Sequence, residues 1–177
     1  MTDLRDKVQE DRGLIKKIEL AIPGFRGYRK REDLRAADNL LRTQLAGRMA
    51  EAMDLMEGCR KTLSKQMELD LLEDVGGIIN NMQMAEGRLA HAEQGYSGVS
   101  ADFRIEEEAL NRLYEWDLGL IGNINIILEQ ITSLQDAISN GDSDRISSGL
   151  EDVQSSIDEF NRLFSKRVET ILKAVVV

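Results

Sequence analysis

Apolar residues recur at steps of three and four along almost the whole chain, the spacing that lines one face of a helix. The run is cleanest near the end of the sequence: Ile146, Leu150, Val153, Ile157, Phe160, Phe164, Val168, Ile171 and Val175. A second run reads Leu110, Leu113, Trp116, Leu120, Ile124, Ile127, Ile131, Leu134 and Ile138. Asn140-Gly141 separates them. A glycine just past a helix supplies the left-handed cap, and Ser143 is expected to open the next helix as its N-cap. A link this short makes the two helices a hairpin.

The first half follows the same rule. Leu4, Val8, Ile15, Ile18 and Ile22 predict a short helix over about 3–22, with the pattern interrupted at Asp11-Arg12. It stops ahead of Pro23, because proline disfavours helical backbone in the residue before it. After a connector at 23–30, Leu34, Ala37, Leu41, Leu45, Met49, Met53, Met56 and Leu63 predict a long helix over about 31–64. Leu71, Leu72, Val75, Ile78, Ile79, Met82 and Leu89 predict another over about 68–94, with a weakly signalled break near Ser64 to Glu68. The last two helices are placed at about 106–140 and 143–175. Alternating strand patterns are absent. The expected fold is all-α: one domain over 1–177, an antiparallel bundle of about five helices, four of them long. Eight glycines fall inside the helices beyond the first: Gly47, Gly58, Gly76, Gly77, Gly87, Gly119, Gly122 and Gly149. They are expected to mark close helix approach, or local bending at Gly76-Gly77 and Gly119-x-x-Gly122.

Charge adds one asymmetry. The net charge of the 177 residues is −9. Residues 23–48 nevertheless hold seven basic against three acidic side chains, a net of +4. Residues 1–22 are balanced, so residues 49–177 carry −13. An acidic body with one basic edge disfavours broad nucleic-acid binding and leaves room for a local anionic contact. There is one cysteine, Cys59, and one histidine, His91. An internal disulfide and multi-cysteine or histidine-rich metal sites are therefore excluded. Both residues read as ordinary helix positions. The opening Met1-Thr2-Asp3-Leu4-Arg5-Asp6-Lys7 lacks the apolar core of a signal peptide. No run approaches the roughly 20 apolar residues of a membrane span. The expected compartment is the cytoplasm.

The connectors carry the least ordinary sequence. Pro23-Gly24-Phe25-Arg26-Gly27-Tyr28-Arg29-Lys30-Arg31 and Gly95-Tyr96-Ser97-Gly98-Val99-Ser100-Ala101-Asp102-Phe103 both contain Gly-x-x-Gly with aromatics beside it. Out-and-back helices bring the two segments to one end of the bundle. That end reads as a packed cap, with aromatics plugging it and arginines solvated or paired to Glu106, Glu107 and Glu108. It also offers a candidate partner-binding surface: Arg26, Tyr28, Arg29, Arg31, Tyr96 and Phe103, residue types suited to binding hot spots. The glycines do not make a phosphate-binding P-loop. Arg35, Asp38 and Arg42 share one helix face. They form either a solvated row or a clamp on the backbone carbonyls of 95–100. Asp117 interrupts an apolar stretch beside Trp116 and is expected to be a buried carboxylate paired with Arg35 or Arg42.

Pro23-Gly24-x-x-Gly27-Tyr28-x-x-Arg31-Glu32-Asp33-x-Arg35-x-Ala37-Asp38-x-x-Leu41-Arg42 resembles the opening of an uncharacterised family of bacterial and archaeal all-helical proteins. Gly95-Tyr96-Ser97-Gly98 and Glu106-Glu107-x-x-Leu110-x-x-Leu113-Tyr114-x-x-Asp117 are similar to its later signatures. The resemblance spans roughly residues 5–140. Val99-Ser100 stand where that family's pattern places aromatics, and Phe103 lies further on. The resemblance implies no activity; it marks the glycine-tyrosine connectors, Arg35 and Asp38 as distinguishing positions.

No Ser/His/Asp or Cys/His arrangement is supported, and the residue three before His91 is Arg88, so a Glu-x-x-His di-iron motif fails. The expectation is a chain that is not an enzyme and takes no cofactor or metal: a protein-protein interaction or adaptor module. Two alternatives stand beside it. One is local nucleic-acid or anion binding through the basic connector end. The other is peripheral membrane association through Lys166, Arg167 and Lys173 beside Ile171, Leu172 and Val175, a stretch read first as bundle core. The partner is expected to be another protein; nucleic acid is disfavoured, no segment spans a membrane, and homo-oligomerisation stays open.

Overall fold

A computed structural model describes residues 4–25, 31–91 and 107–175, with side chains over 13–25, 36–91 and 108–173. Five helices account for nearly all of them: α1 (Leu4–Ala21), α2 (Arg31–Lys65), α3 (Asp70–His91), α4 (Glu107–Asn140) and α5 (Ser143–Val175). The fold is all-α, and α1 runs without a break through Asp11-Arg12.

Helices α2 and α3 form one hairpin and α4 and α5 another, and these are the two most extensive packings. The hairpins pack side by side, α2 on α4 and α3 on α5, while α1 lies on α4. Bridging side chains show that neighbours across hairpins run parallel. Arg48 donates to Asn125, Gln135 to the Leu55 carbonyl at 3.4 Å, and Gln66 to the Ile138 carbonyl at 3.2 Å. On the other side Asn81 meets Gln154 at 3.0 Å, and Arg88 meets Asn161 at 2.9 Å. Arg88 also lies 5.5 Å from the centre of the Phe164 ring. Helices α2 and α5 therefore face each other across one diagonal of the bundle.

The buried positions are strictly periodic. On α2 they include residues 38, 42, 45, 49, 52, 56, 59 and 63, on α4 113, 117, 120, 124, 127, 131, 134 and 138, and on α5 146, 150, 153, 157, 160, 164, 167 and 171. The steps alternate four and three, a repeat of 3.5 that keeps one seam facing its partners as helices supercoil. Leucine, isoleucine, valine and methionine fill most layers and form one continuous core reaching from Ile18 to Ile171. Four of those seam positions, 38, 42, 117 and 167, are charged, and all four fall at the same end.

Close approach explains only some helix glycines. A Cβ on Gly149 would stand 3.2 Å from Leu134 Cδ1, and one on Gly119 would stand 3.5 Å from Leu163. Gly58 meets Gln135 at 3.6 Å, whereas Gly47, Gly76, Gly77, Gly87 and Gly122 have nothing within 4 Å.

The far end, away from the connectors, is closed by two backbone turns of identical hydrogen bonding. After α4 the N–H of Gly141 donates to Ile138 at 3.2 Å, and that of Asp142 to Ala137 at 3.1 Å. After α2 the N–H of Met67 donates to Ser64 at 3.3 Å, and that of Glu68 to Leu63 at 3.1 Å. Both are Schellman motifs, which need a left-handed residue after the helix. Gly141 takes it at φ 66° and Met67 at φ 65°. The cap opening α5 is Asp142, not Ser143: its Oδ1 accepts the Arg145 N–H at 3.2 Å, and Ser143 is already helical.

Candidate functional site

The chemistry-bearing residues converge below the connector end. Asp38 and Arg42 stand one turn apart on α2, and Arg42 Nε donates to Asp38 Oδ2 at 2.9 Å. Arg167 of α5 crosses the diagonal and donates from Nη1 to Asp38 Oδ1 at 2.5 Å. Its Nε donates to Asp117 Oδ1 on α4 at 2.6 Å. Arg42 Nη1 turns the other way, to the Leu89 carbonyl on α3 at 2.7 Å. A single chain of charge-assisted bonds thus links α3, α2, α5 and α4. Asp117 is 0% exposed and Arg167 1%.

Burying charges is costly, and their mutual attraction offsets it only when geometry and hydrogen bonding are good. Here two carboxylates face two guanidinium groups, whose forked donors reach several acceptors at once. A polar layer in an apolar heptad seam has one well-attested use, which is to fix register. Slipping α5 by a turn would set Arg167 against apolar side chains and strip both aspartates of a partner.

Of the two roles open for Arg35, Asp38 and Arg42, the solvated row is excluded for the last two, which lie in the core; Arg42 does grip a backbone carbonyl, that of Leu89 in the last turn of α3. Arg35 and Arg31 lie on the first turns of α2, with side chains outside the described residues. Arg26, Tyr28, Arg29, Tyr96 and Phe103 lie outside the described residues altogether, as do the carbonyls of 95–100. Asp117 is buried, and Arg167 is a partner for it; Arg167 belongs to the α5 end expected first as bundle core and, in the alternative, as a basic membrane-facing stretch. A signal for Arg167 was available. Replacing Val168 by residue 167 turns the steps after Ile157 into 3, 4, 3 and 4, and Asp117 completes the α4 seam in the same way.

Aromatic packing closes the same end. Phe25, at the end of the described first segment, meets Tyr114 edge-on, 6.4 Å between ring centres. Both are buried. Trp116 Nε1 donates to Thr170 at 3.1 Å, tying α4 to α5 beside the charged layer. On the outer face Glu169 accepts from Lys173 at 2.6 Å and Lys166 at 3.0 Å. Those hydrogen bonds and the two positive charges hold its carboxyl down at about 2. With Arg167 in the core and both lysines paired to Glu169, the basic stripe read on α5 is not an open row of cations.

Cys59 sits away from this layer, and His91 ends α3 two residues past Leu89, whose carbonyl belongs to it. Cys59 is buried on the seam of α2, and burial pushes its thiol up to about 11. A thiol that stays protonated is a poor nucleophile. His91 is exposed at the end of α3. No helix among the described residues is long and apolar enough to cross a membrane. No family model matches the chain, and comparison with curated proteins and with solved structures gives no match.

Proposed function

We propose that the chain is a non-enzymatic interaction or adaptor module that docks a protein partner at its connector end. The observation supporting this reading is the charged layer, which ties α2, α3, α4 and α5 just below the points where residues 26–30 and 92–106 leave the helices. A fixed base gives a short connector less freedom to lose on binding, which favours affinity. The sequence on that base is basic and carries tyrosine, arginine and phenylalanine, the residue types of hot spots. The net +4 of residues 23–48 suits an acidic partner surface.

The test changes Arg26, Arg29 and Arg31 together to Glu. The expected outcome is an unchanged helical spectrum with loss of the protein captured by the unaltered chain. Capture that survives the triple change overturns the reading. Salt-dependent oligonucleotide binding that disappears in the same variant assigns the surface to nucleic acid instead.

A further inference from the structure

The two far-end turns have the same backbone but opposite side-chain chemistry. In the α4–α5 turn, glycine fills the left-handed position and an aspartate caps the next helix. These are the residues that each position favours. In the α2–α3 turn, Met67 holds the left-handed position at φ 65°. Leu69 holds the N-cap position of α3, its carbonyl accepting the Leu72 N–H at 3.2 Å. Neither position favours an apolar residue, and neither side chain enters the core: Met67 is 79% exposed and Leu69 62%. These two breaches of local preference, two residues apart, expose large apolar groups and add neither of them to the core. Such breaches mark functional sites.

We propose that this turn is a second docking surface, for a basic amphipathic segment of a protein partner. Met67 supplies a flexible, polarisable contact of the kind used on binding surfaces. The rim supplies the charge. Glu68 in the turn and Asp70, Glu73 and Asp74 on the first turns of α3 are exposed, against Lys61 and Lys65 on the end of α2. That sign attracts a cationic segment and repels an anionic lipid surface. The Gln66 bond to Ile138 braces the turn against the neighbouring one. The site lies at the opposite end of the bundle from the connectors, so the chain would bridge two partners.

The experiment uses the full chain and a labelled peptide of leucine and lysine in helical spacing. Titration is followed by anisotropy and by the methyl signals of ¹³C-labelled methionine, with Met67 assigned by its disappearance in Met67→Gly. The expected result is a shift at Met67 and none at Met84, which is also exposed but sits mid-helix on α3. The double variant Met67→Gly, Leu69→Asp should bind at least tenfold more weakly while melting no lower. It adds an acidic residue, so a peptide held by charge alone would bind it more tightly. Unchanged or tighter binding by the double variant, or a shift at Met84 in place of Met67, overturns the proposal. Equal binding of a leucine-glutamate peptide also overturns it. So does binding to phosphatidylglycerol vesicles that the double variant loses.

Discussion

The two ends of the bundle hold the same four helices by different physics. At the connector end the tie among the described residues is made by buried side chains, two aspartates and two arginines, one arginine being bonded to a backbone carbonyl. At the far end the tie is made of backbone: two Schellman turns that join each helix to the next. Between them the seam is apolar and periodic. Apolar layers are tolerant of register, because one leucine replaces another after a slip. A charged layer is not, since every misplaced partner leaves a buried charge uncompensated. The contrast suggests a division of labour, in which the apolar layers supply stability and the charged layer selects one alignment of α5 across the diagonal from α2.

The sharpest way to break that contrast is Arg167→Met. It removes one guanidinium and leaves Asp38 and Asp117 each short of a partner. We expect a loss of about 3–5 kcal/mol, measured by urea unfolding. A methyl-scale change in an apolar layer, such as Ile131→Val, should cost about 0.5–1.5 kcal/mol. If Arg167→Met costs no more than Ile131→Val, the charged layer is not the tie described above.

The helices were legible because the 3.5-residue repeat is strong and apolar, and Asn140-Gly141 was legible because glycine is what a left-handed cap asks for. The charged layer was half legible. Asp117 stood out as an acid inside an apolar run. Arg167 did not, because Val168 beside it offered an apolar alternative and concealed a stripe that Arg167 continues more regularly. Arg42 and Asp38 read as either a solvated row or a clamp on a loop carbonyl, since a one-turn spacing fits an exposed row and a buried bond equally well. The α2–α3 turn was located but its character was hidden. Met67 carries no signature of a left-handed residue, and only the backbone shows that it occupies one.

The two far-end turns can be set against each other with smaller changes. Met67→Gly removes a side chain from left-handed backbone, a conformation that costs L-residues about 1–2 kcal/mol. Part of that gain is offset by the extra freedom of glycine in the unfolded chain. We expect net stabilisation of about 0.5–1 kcal/mol. Gly141→Ala makes the reverse change in the matching position and should destabilise by a similar amount, about 1 kcal/mol. Opposite signs at positions with equal φ would show that the α2–α3 turn is held below its own optimum. Destabilisation by Met67→Gly would mean that the methionine side chain contributes to the fold, and the reason for regarding it as a docking group would be gone.

The smallest effect belongs to Glu169, two residues beyond Arg167 but on the outer face of α5. It accepts from Lys173 and Lys166, and its carboxyl is held at about 2, against an ordinary value of 4.5. A carboxyl whose pKa is lowered by folding favours the folded state above its unfolded pKa. That contribution fades as pH falls from about 4.5 towards about 2. Glu169 is solvent-facing, so salt screens the attraction and little of it becomes stability. A carboxyl-carbon NMR titration should find Glu169 still ionised at pH 3. Changing Lys166 and Lys173 to Ala should return its midpoint towards 4.5. The same double change should leave the urea midpoint at pH 7 nearly where it was, unlike Arg167→Met on the inner face of the same helix. If removing the two lysines destabilises the protein as much as removing Arg167, burial is not what separates the inner tie from the outer one. The charged layer would then owe its strength to the local density of charge at this end of α5, and the contrast between the two ends of the bundle would have to be redrawn on that basis.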